Sequence, residues 1–438
     1  MHDQIITPIS VRGRYLWRNE DRFIIKGAVY QNNYIRATTA ARGREEEQNP
    51  PRSSSPLSDP IADDQLEVLG CSIPLLQELG INTLLVYSID NTKSHDVAMD
   101  MLAKAGIYVI AVSLPHSCTL TFACLGSVIS DFFSSKGLST PQKCVNRAAP
   151  LESYTPDLVQ HYLATVDRMA VYPNTLGVVV ANEVLLHAGH TAGAGVIRAL
   201  VRDVKRYMAL HAEANPESRQ RILPVGVSSN GVSSIFYDEF RYFTGGDPEE
   251  AVDFFSWNEW SWVGRSNMQV SGWDRLVQSF ENVHVPLFFS EYGTTSGESS
   301  PRQFLETTAI YSPAMTRIFS GACAYEFFEG PNRYGLVVVR ADGTLEKLRA
   351  FENLQARLAE CQSEGLATLP EWAAGDNELV EANRPELPPQ SYDWRAAASL
   401  PECPLDWEEV RAQIEDRQWI DVAEEVERSI ISNDGELL

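Results

Sequence analysis

The stretch Leu-Gly-Val-Val-Val-Ala-Asn at residues 176–182 is a short apolar run that predicts a buried β-strand. The segment behind it, residues 194–212, carries apolar side chains at steps of three and four, a period typical of an amphipathic helix. A buried strand followed by such a helix indicates a βαβ unit, and therefore a parallel sheet.

The same succession of strand and helix recurs along the chain. Further apolar runs are predicted strands, at residues 23–30, 83–88, 107–114, 222–227, 252–257, 285–290 and 322–327. Helical periods at residues 157–171 and 301–310 predict additional helices between them. Together these runs favour a closed barrel over an open sheet. The predicted fold is therefore α/β, a (β/α)8 TIM barrel surrounded by a ring of helices.

Two segments interrupt this order and are interpreted as loop insertions. Residues 32–55 are rich in Arg, Glu, Pro and Ser, and residues 117–143 separate the third strand from the next helix. Towards the C-terminus, a proline-rich stretch at 384–390 leads to an acidic segment of helical period at 406–431. We expect a barrel domain over residues 1–360, followed by a linker and an acidic helical extension over residues 361–438.

The composition excludes several kinds of partner. The formal net charge is -23, so nucleic acid and anionic lipid would be repelled, whereas a neutral glycan would not. The 7 cysteines are too sparse for a disulfide scaffold, show no zinc-binding spacing, and leave at least one thiol unpaired in a monomer. No apolar run could span a membrane, and neither end has the pattern of a signal peptide or an apolar anchor tail.

Two glutamates stand where predicted strands end. Glu183 follows the run at 178–182, and Glu291 follows the run at 287–290. Because the carboxyl ends of parallel barrel strands meet at one mouth, these side chains can converge although they are far apart in sequence. A single glutamate at such a place is more often a solvated loop residue. A converging pair, about 5 to 5.5 Å apart in retaining glycosidases, provides one carboxyl that attacks the anomeric carbon and one that protonates the leaving oxygen.

Neighbouring polar and aromatic residues favour a sugar site. Asn182 precedes Glu183, where its amide could bind a sugar 2-hydroxyl in the transition state. Aromatic rings suit the C–H faces of glucose units, and their N–H or O–H groups bind hydroxyls. The candidate rings are Trp257, Trp260, Trp262, Tyr292 and Tyr325. For Trp257 and Trp262, a place in the hydrophobic core is an equally good interpretation.

The chain resembles the fungal β-1,3-glucanosyltransferases of glycoside hydrolase family 72 over about residues 6–354. The motifs that carry the resemblance are Ile-Thr-Pro-Ile-Ser-Val at 6–11, Lys-Gly-Ala-Val-Tyr-Gln at 26–31, Ser-Asp-Pro-Ile-Ala-Asp at 58–63, Leu-Gly-Ile-Asn-Thr at 79–83, Val-Tyr-Ser-Ile-Asp at 86–90, Asn-Glu-Val at 182–184, Phe-Ser-Glu-Tyr-Gly at 289–293 and Tyr-Glu at 325–326. So many ordered matches form a specific signal, whereas a lone Asn-Glu pair would be weak.

The resemblance implies a retaining enzyme that cleaves inside a β-1,3-glucan, holds the fragment as a glycosyl-enzyme and passes it to another glucan chain, lengthening cell-wall glucan. It implies Glu183 as general acid/base and Glu291 as nucleophile. The predicted substrate-binding residues are Gln31, Tyr87, Asn182, Trp260, Tyr292 and Tyr325. The implied partners are donor and acceptor glucan chains, without a cofactor or metal. Members of the family are held at the cell surface by a GPI anchor, so a membrane is a partner only through such an anchor.

Two departures from the family pattern bear on activity. Leu85 stands where the family has an arginine, on the strand face of Tyr87 and therefore inside the barrel. A cation lost beside the nucleophile would raise the nucleophile's pKa and weaken it. Trp260 replaces a tyrosine, which keeps a ring and a donor but not the phenol geometry. Two alternatives therefore stay open: a plain β-1,3-glucan endo-hydrolase that uses the same carboxyls, and a catalytically inactive glucan-binding protein.

Overall fold

A computed structural model describes residues 6–31, 59–112, 144–232, 234–295, 301–340, 342–361 and 382–416. The predicted insertions at 32–55 and 117–143 lie outside these residues. Of the predicted acidic helix at 406–431, the part beyond residue 416 also lies outside them.

The strands form a closed parallel barrel with two small antiparallel sheets. In chain order they are β1 (Ile9–Arg12), β2 (Tyr15–Arg18), β3 (Asp21–Phe23), β4 (Ile25–Val29), β5 (Thr83–Val86), β6 (Tyr108–Val112), β7 (Thr175–Asn182), β8 (Val225–Ser229), β9 (Phe254–Asn258), β10 (Leu287–Tyr292), β11 (Phe319–Ala324), β12 (Val337–Val339) and β13 (Leu345–Lys347). Strands β4 to β11 pair in chain order, β11 closes onto β4, and every pair is parallel. The predicted (β/α)8 barrel is confirmed.

Helices cover the outside of the barrel. They are α1 (Leu66–Leu79), α2 (Asp96–Lys104), α3 (Pro150–Ser153), α4 (Pro156–Met169), α5 (Ala194–Ala214), α6 (Phe236–Thr244), α7 (Trp273–Ser279), α8 (Glu306–Ile310), α9 (Pro313–Thr316), α10 (Arg349–Cys361) and α11 (Trp407–Asp416). The helix predicted at 301–310 begins only at Glu306. Phe304 has a φ of 52°, which is incompatible with a right-handed helix at that residue.

Each predicted barrel strand overlaps an observed one, and the ends differ by a few residues. The clearest shift is in β11, which is predicted at 322–327 and observed at Phe319–Ala324. Ser320 and Gly321 interrupt the apolar run, yet Gly321 pairs with Ile25 of β4. Backbone pairing defines a strand, so a pattern based on side-chain polarity misses this start.

Side chains alternate between the barrel interior and the layer beneath the helices. Leu84 and Val86 belong to the outer layer, whereas Leu85 and Tyr87 belong to the interior cluster. Leu85 is 2% exposed. The interior position predicted for Leu85 is therefore confirmed.

A small sheet that the sequence did not predict closes the end of the barrel at which the parallel strands begin. Strands β1, β2 and β3 pair antiparallel in that order. They contribute Ile9, Leu16 and Phe23 to the interior cluster, and the Phe23 ring lies edge-on to Tyr108 at 5.1 Å between centroids. The opposite end, where the strands finish, is the end available for a site.

The described C-terminal residues pack against the helical ring. Trp394 is fully buried, and its ring lies 5.3 Å from that of Tyr242 in α6. In α11, the Ile414 carbonyl accepts a hydrogen bond from Asn215 at 3.2 Å. The division into a barrel domain and a separate extension stays a prediction. Across the described ranges, no helix combines the length and apolarity needed to cross a bilayer.

Free thiols occur among the cysteines that the structure describes. Cys71, Cys323 and Cys403 are free, whereas Cys144 is disulfide-bonded. This agrees with the expectation that a monomer leaves at least one thiol unpaired.

Candidate active site

A bulge at the end of β10 turns Glu291 into the barrel. Phe288 faces the interior and Phe289 the outer layer, so strict alternation would turn Glu291 outward with Phe289. Against β9, however, Phe289 pairs with Trp257 and Glu291 pairs with Asn258, so β10 carries one extra residue. The bulge reverses the alternation at this point, which allows the Glu291 carboxyl to accept a hydrogen bond from the Tyr87 hydroxyl in the interior.

A similar irregularity precedes Glu183. Val179 pairs with Gly226 and Asn182 with Ser228, so three steps along β7 match two along β8. Glu183 follows with a φ of 50°, and its N–H donates to the Ser228 carbonyl at 2.9 Å. A non-glycine residue in this left-handed region is unusual and must be held there by its surroundings.

Asn258, at the end of β9, joins the two carboxyls. Its Nδ2 donates to Glu183 Oε1 at 2.8 Å, and the same amide lies close enough to the Glu291 carboxyl to lower its pKa. Ser290 donates to Asn258 Oδ1 at 2.8 Å, which fixes the orientation of the amide. Because one amide acts on both carboxyls, and the charge of Glu183 also acts on Glu291, the two carboxyls face the same small volume.

Burial dominates the electrostatics of Glu291. Loss of solvent raises the pKa of its carboxyl well above the ordinary value, and the charges of Glu183 and Glu326 raise it further. The hydrogen bond from Tyr87 and the nearby Asn258 amide act in the opposite direction. Leu85 supplies no positive charge at the position where the family resemblance implies an arginine.

Glu183 is also perturbed, but a cation lies near it. Burial raises the pKa of Glu183, while the hydrogen bond from Asn258 and the charge of Arg147 lower it. The Arg147 guanidinium donates from Nη2 to the Glu183 main-chain carbonyl at 3.0 Å. Because the pKa values of both Glu183 and Glu291 are raised, the pair favours states in which at least one carboxyl carries a proton.

An aromatic wall, formed by Trp260, Tyr325 and Tyr334, borders the pair. The three rings meet edge to face, with centroid separations between 5.4 and 5.7 Å. Asn332 donates to the Tyr325 hydroxyl at 3.3 Å and to the Glu326 carboxyl at 2.9 Å, so the wall is held in place. Trp260 and Tyr325 are half-buried, which leaves part of each ring accessible to a ligand.

Two predicted polar residues lie at the ends of their strands. The pairing of Val29 with Leu85 places Gln31 opposite Tyr87, and Gln31 is buried. Asn182 is buried beside Glu183, and its Oδ1 has no hydrogen-bond partner among the described residues. The Asn182 Oδ1 acceptor can therefore bind a ligand hydroxyl without losing a protein contact.

The structure corrects the placement of Tyr292. Its side chain is 1% exposed and lies in the outer layer with Phe304, and Thr307 of α8 donates a hydrogen bond to its hydroxyl at 3.2 Å. The bulge explains the error, because turning Glu291 inward turns the next residue outward. Tyr292 therefore contributes to packing between β10 and the helices and does not face the carboxyl pair.

The two tryptophans with open interpretations are core residues. Trp257 is 1% exposed and contacts Phe289 at 5.0 Å, and Trp262 packs on Trp273 at 4.8 Å. Trp260, which lies between them in the sequence, is the one that borders the site.

Sequence inspection missed Asn258, Asn332 and Arg147. Asn258 stands inside the tryptophan-rich run, whose pattern indicates aromatic site residues and not a polar one. That strand-end position is the signal that could have revealed it. Asn332 and Arg147 come from loops, for which no periodic pattern predicts the orientation of a side chain.

Glu239 of α6 is a buried carboxyl behind the site, and it makes stability depend on pH. Burial raises the pKa of Glu239 from 4.5 to about 8, and the Ser229 hydroxyl donates to it at 2.7 Å. Between these two pH values the folded protein keeps the proton and the unfolded chain releases it, so stability falls as pH rises. Glu239→Gln cannot release this proton, so we expect its free energy of unfolding to exceed that of the wild type by a margin that depends on pH. The margin should grow by about 1.4 kcal/mol for each unit by which the pH rises in this window. Urea unfolding of both proteins at several pH values measures this difference, and a difference independent of pH would contradict the assignment.

Comparison with known proteins gives a consistent result. The family model described as glucanosyltransferase matches residues 1–119 and 128–362. The 1,3-beta-glucanosyltransferase gel1 of Aspergillus fumigatus is 34% identical over 343 residues, which cover 78% of this chain and 63% of the relative. The 1,3-beta-glucanosyltransferase GAS5 of Saccharomyces cerevisiae is 33% identical over 350 residues, which cover 79% of this chain and 61% of the relative. The chain thus spans less than two thirds of the length of these relatives.

A solved structure is similar over most of the chain. Saccharomyces cerevisiae Gas2p in complex with laminaritriose and laminaritetraose superposes with a TM-score of 0.72 at 28% identity, and the match covers 92% of this chain and 78% of that one. The barrel, the converging carboxyls and the family match agree. The chain belongs to the glucanosyltransferase family, glycoside hydrolase family 72.

Proposed function

We propose that this protein is a retaining β-1,3-glucanosyltransferase in which Glu291 is the nucleophile and Glu183 the general acid/base. The observation that carries the proposal is the convergence of the two carboxyls on one amide, that of Asn258. Relatives named 1,3-beta-glucanosyltransferases and a similar structure that holds laminari-oligosaccharides support the choice of substrate.

The proposed reaction has two steps, formation of a glycosyl-enzyme and transfer of its sugar to an acceptor. Protonated Glu183 gives its proton to the glycosidic oxygen while the Glu291 carboxylate attacks the anomeric carbon, so the C–O bond breaks and a glycosyl ester forms. In the second step, Glu183 takes the proton of an acceptor hydroxyl while the hydroxyl oxygen attacks the anomeric carbon. The glycosyl ester breaks, and Glu291 leaves as carboxylate. The Tyr87 hydroxyl, bonded to Glu291, orients the attacking carboxylate.

The remaining roles belong to the same proposal. Trp260 and Tyr325 offer ring faces to glucose units, and Asn182 and Gln31 bind sugar hydroxyls. Glucan donor and acceptor chains are the partners, and the setting is the cell surface, with a GPI anchor as the link to the membrane. No cofactor or metal takes part in these steps.

The test uses reduced laminari-oligosaccharides of defined length. Incubation with the protein should give products longer than the donor, visible by mass spectrometry, because a transferase passes the fragment to another chain. Products that are only shorter than the donor would identify a plain endo-hydrolase, which uses the same two carboxyls.

A second candidate, a catalytically inactive glucan-binding protein, is favoured by one observation. The interior beside Glu291 is apolar at Leu85, and the raised pKa of Glu291 opposes the ionised form that attacks. Trapping with a fluorinated mechanism-based laminari-oligosaccharide distinguishes the two. An adduct on Glu291 supports the enzyme, whereas intact glucan binding without an adduct supports the binding protein.

A further inference from the structure

We propose that Arg147 is a positioning residue for Glu183, holding the main chain and the charge state of the acid/base group from a rigid loop outside the barrel strands. The inference rests on the proposed role of Glu183. Arg147 lies in the loop before α3, which contributes no other residue to the proposed reaction.

The main chain of Glu183 is held on both sides. Its N–H donates to the Ser228 carbonyl at 2.9 Å, and its carbonyl accepts from Arg147 Nη2 at 3.0 Å. Because φ is 50°, the backbone would relax towards the right-handed or extended regions if these contacts were lost. Such a rotation would redirect the carboxyl away from Asn258. The guanidinium thus stabilises a conformation that the chain does not adopt by local preference.

The loop that carries Arg147 is itself fixed by hydrogen bonds. The Asn146 N–H donates to Ser153 Oγ at 3.0 Å, and the Ala148 N–H donates to Asn146 Oδ1 at 3.0 Å. Three residues earlier, Cys144 is buried and disulfide-bonded. A group presented from a rigid support can hold its partner within the tolerance that proton transfer needs.

The charge of Arg147 also acts on Glu183. Among the described residues, the ionisable groups that interact electrostatically with Glu183 are Arg147, Glu291, Glu239 and Tyr87. Arg147 carries the positive charge in this set. His190, which also feels the charge of Arg147, is held neutral near pH 7 because burial lowers its pKa to about 4. Removal of Arg147 therefore leaves Glu183 among groups that favour its protonated form.

Two substitutions and one matched control test the inference. Arg147→Met removes the charge and the donor while keeping an unbranched side chain, and Arg147→Lys keeps the charge but loses the planar guanidinium. The control is Arg221→Met. Arg221 donates to the Tyr172, Pro173 and Thr175 carbonyls at 3.0 to 3.2 Å, at the opposite end of β7. Its replacement therefore removes guanidinium–backbone contacts far from the site.

The first measurement compares two donors, an unactivated laminari-oligosaccharide and its dinitrophenyl β-glycoside, whose leaving group needs no proton. We expect Arg147→Met to lower turnover of the unactivated donor by about 10-fold or more, a part of the roughly 10²–10⁴-fold that a positioned acid supplies. With the dinitrophenyl donor, kcat/KM for dinitrophenol release reports the first step alone and should stay close to the wild-type value, whereas the second step still needs Glu183 as base. The basic limb of the pH profile for the unactivated donor should move up by about one unit. Equal losses of kcat/KM on both donors, or an unmoved basic limb, would overturn the inference.

The second measurement does not need activity. The Glu183 carboxyl is titrated by carbon NMR in the wild type, Arg147→Met and Arg221→Met. A Glu183 pKa that is higher in Arg147→Met than in the wild type, and unchanged in Arg221→Met, supports the inference. If the protein then cleaves no glucan, the proposed function fails and the role of Arg147 stands. The same titration in all three proteins would overturn the role of Arg147, whatever the activity.

Discussion

Glu291→Gln is expected to lower glucan cleavage and transfer by roughly 10⁴-fold or more, the scale observed when a covalent nucleophile is removed. The amide keeps the shape of the side chain and can still pair with Tyr87 and Asn258, but it cannot form a glycosyl ester. The rate of product formation from laminari-oligosaccharides measures the loss, and mass spectrometry of the trapped protein shows whether a sugar adduct forms.

Glu239→Gln is the matched control for this loss. It also removes a buried carboxyl, at 3% exposure, from the layer behind β8. It should keep most of the activity, because Glu239 is not one of the groups proposed to contact the sugar. Comparable activity of Glu291→Gln and the wild type would show that another residue attacks the sugar, and the assignment of the nucleophile would then be wrong.

Leu85→Arg is expected to increase the activity near neutral pH. The pKa of Glu291 is raised, so its carboxyl is protonated over a pH range in which an ordinary glutamate is ionised. A cation at residue 85 would lower that pKa by about 1 to 3 units, because an opposite charge within a few ångströms favours the carboxylate. The acidic limb of the pH profile therefore moves to lower pH, and the rate at a pH on that limb rises by about 10-fold or more.

The control for this gain is Leu85→Met, which keeps an apolar side chain of similar volume inside the barrel. It should leave the acidic limb where it is in the wild type. Circular dichroism and thermal unfolding establish that both variants fold. An acidic limb that does not move in a folded Leu85→Arg protein would show that the missing cation is not what limits Glu291.

The barrel could be predicted because its strands are buried on both faces and therefore form continuous apolar runs. The run at 176–182 lies within β7, and the helix predicted after it at 194–212 lies within α5. Strands β1 to β3 escaped prediction because they are short and carry exposed charges such as Arg18 and Asp21. In such strands, neither length nor alternation separates a sheet from a loop.

The position of the carboxyl pair could be predicted, but its surroundings could not. Strand ends in a parallel barrel place side chains at one mouth, which is why Glu183 and Glu291 could be paired. Tyr292 was misplaced because the bulge in β10 depends on pairing with β9 and leaves no trace in the polarity of the strand. Asn258 bridges the pair through a register that only the folded barrel defines.

The irregular step in β10 also constrains how this chain can change. Removing Ser290 would restore regular pairing with β9, keep Glu291 opposite Asn258 and facing the lumen, and leave Tyr292 turned towards the helices. A shortened β10 would then pair as a regular strand and keep its reactive group, but it would lose the Ser290 hydroxyl that orients the Asn258 amide. The cost of a deletion at this position should therefore fall on the hold over Asn258, while the fold and the direction of Glu291 are retained.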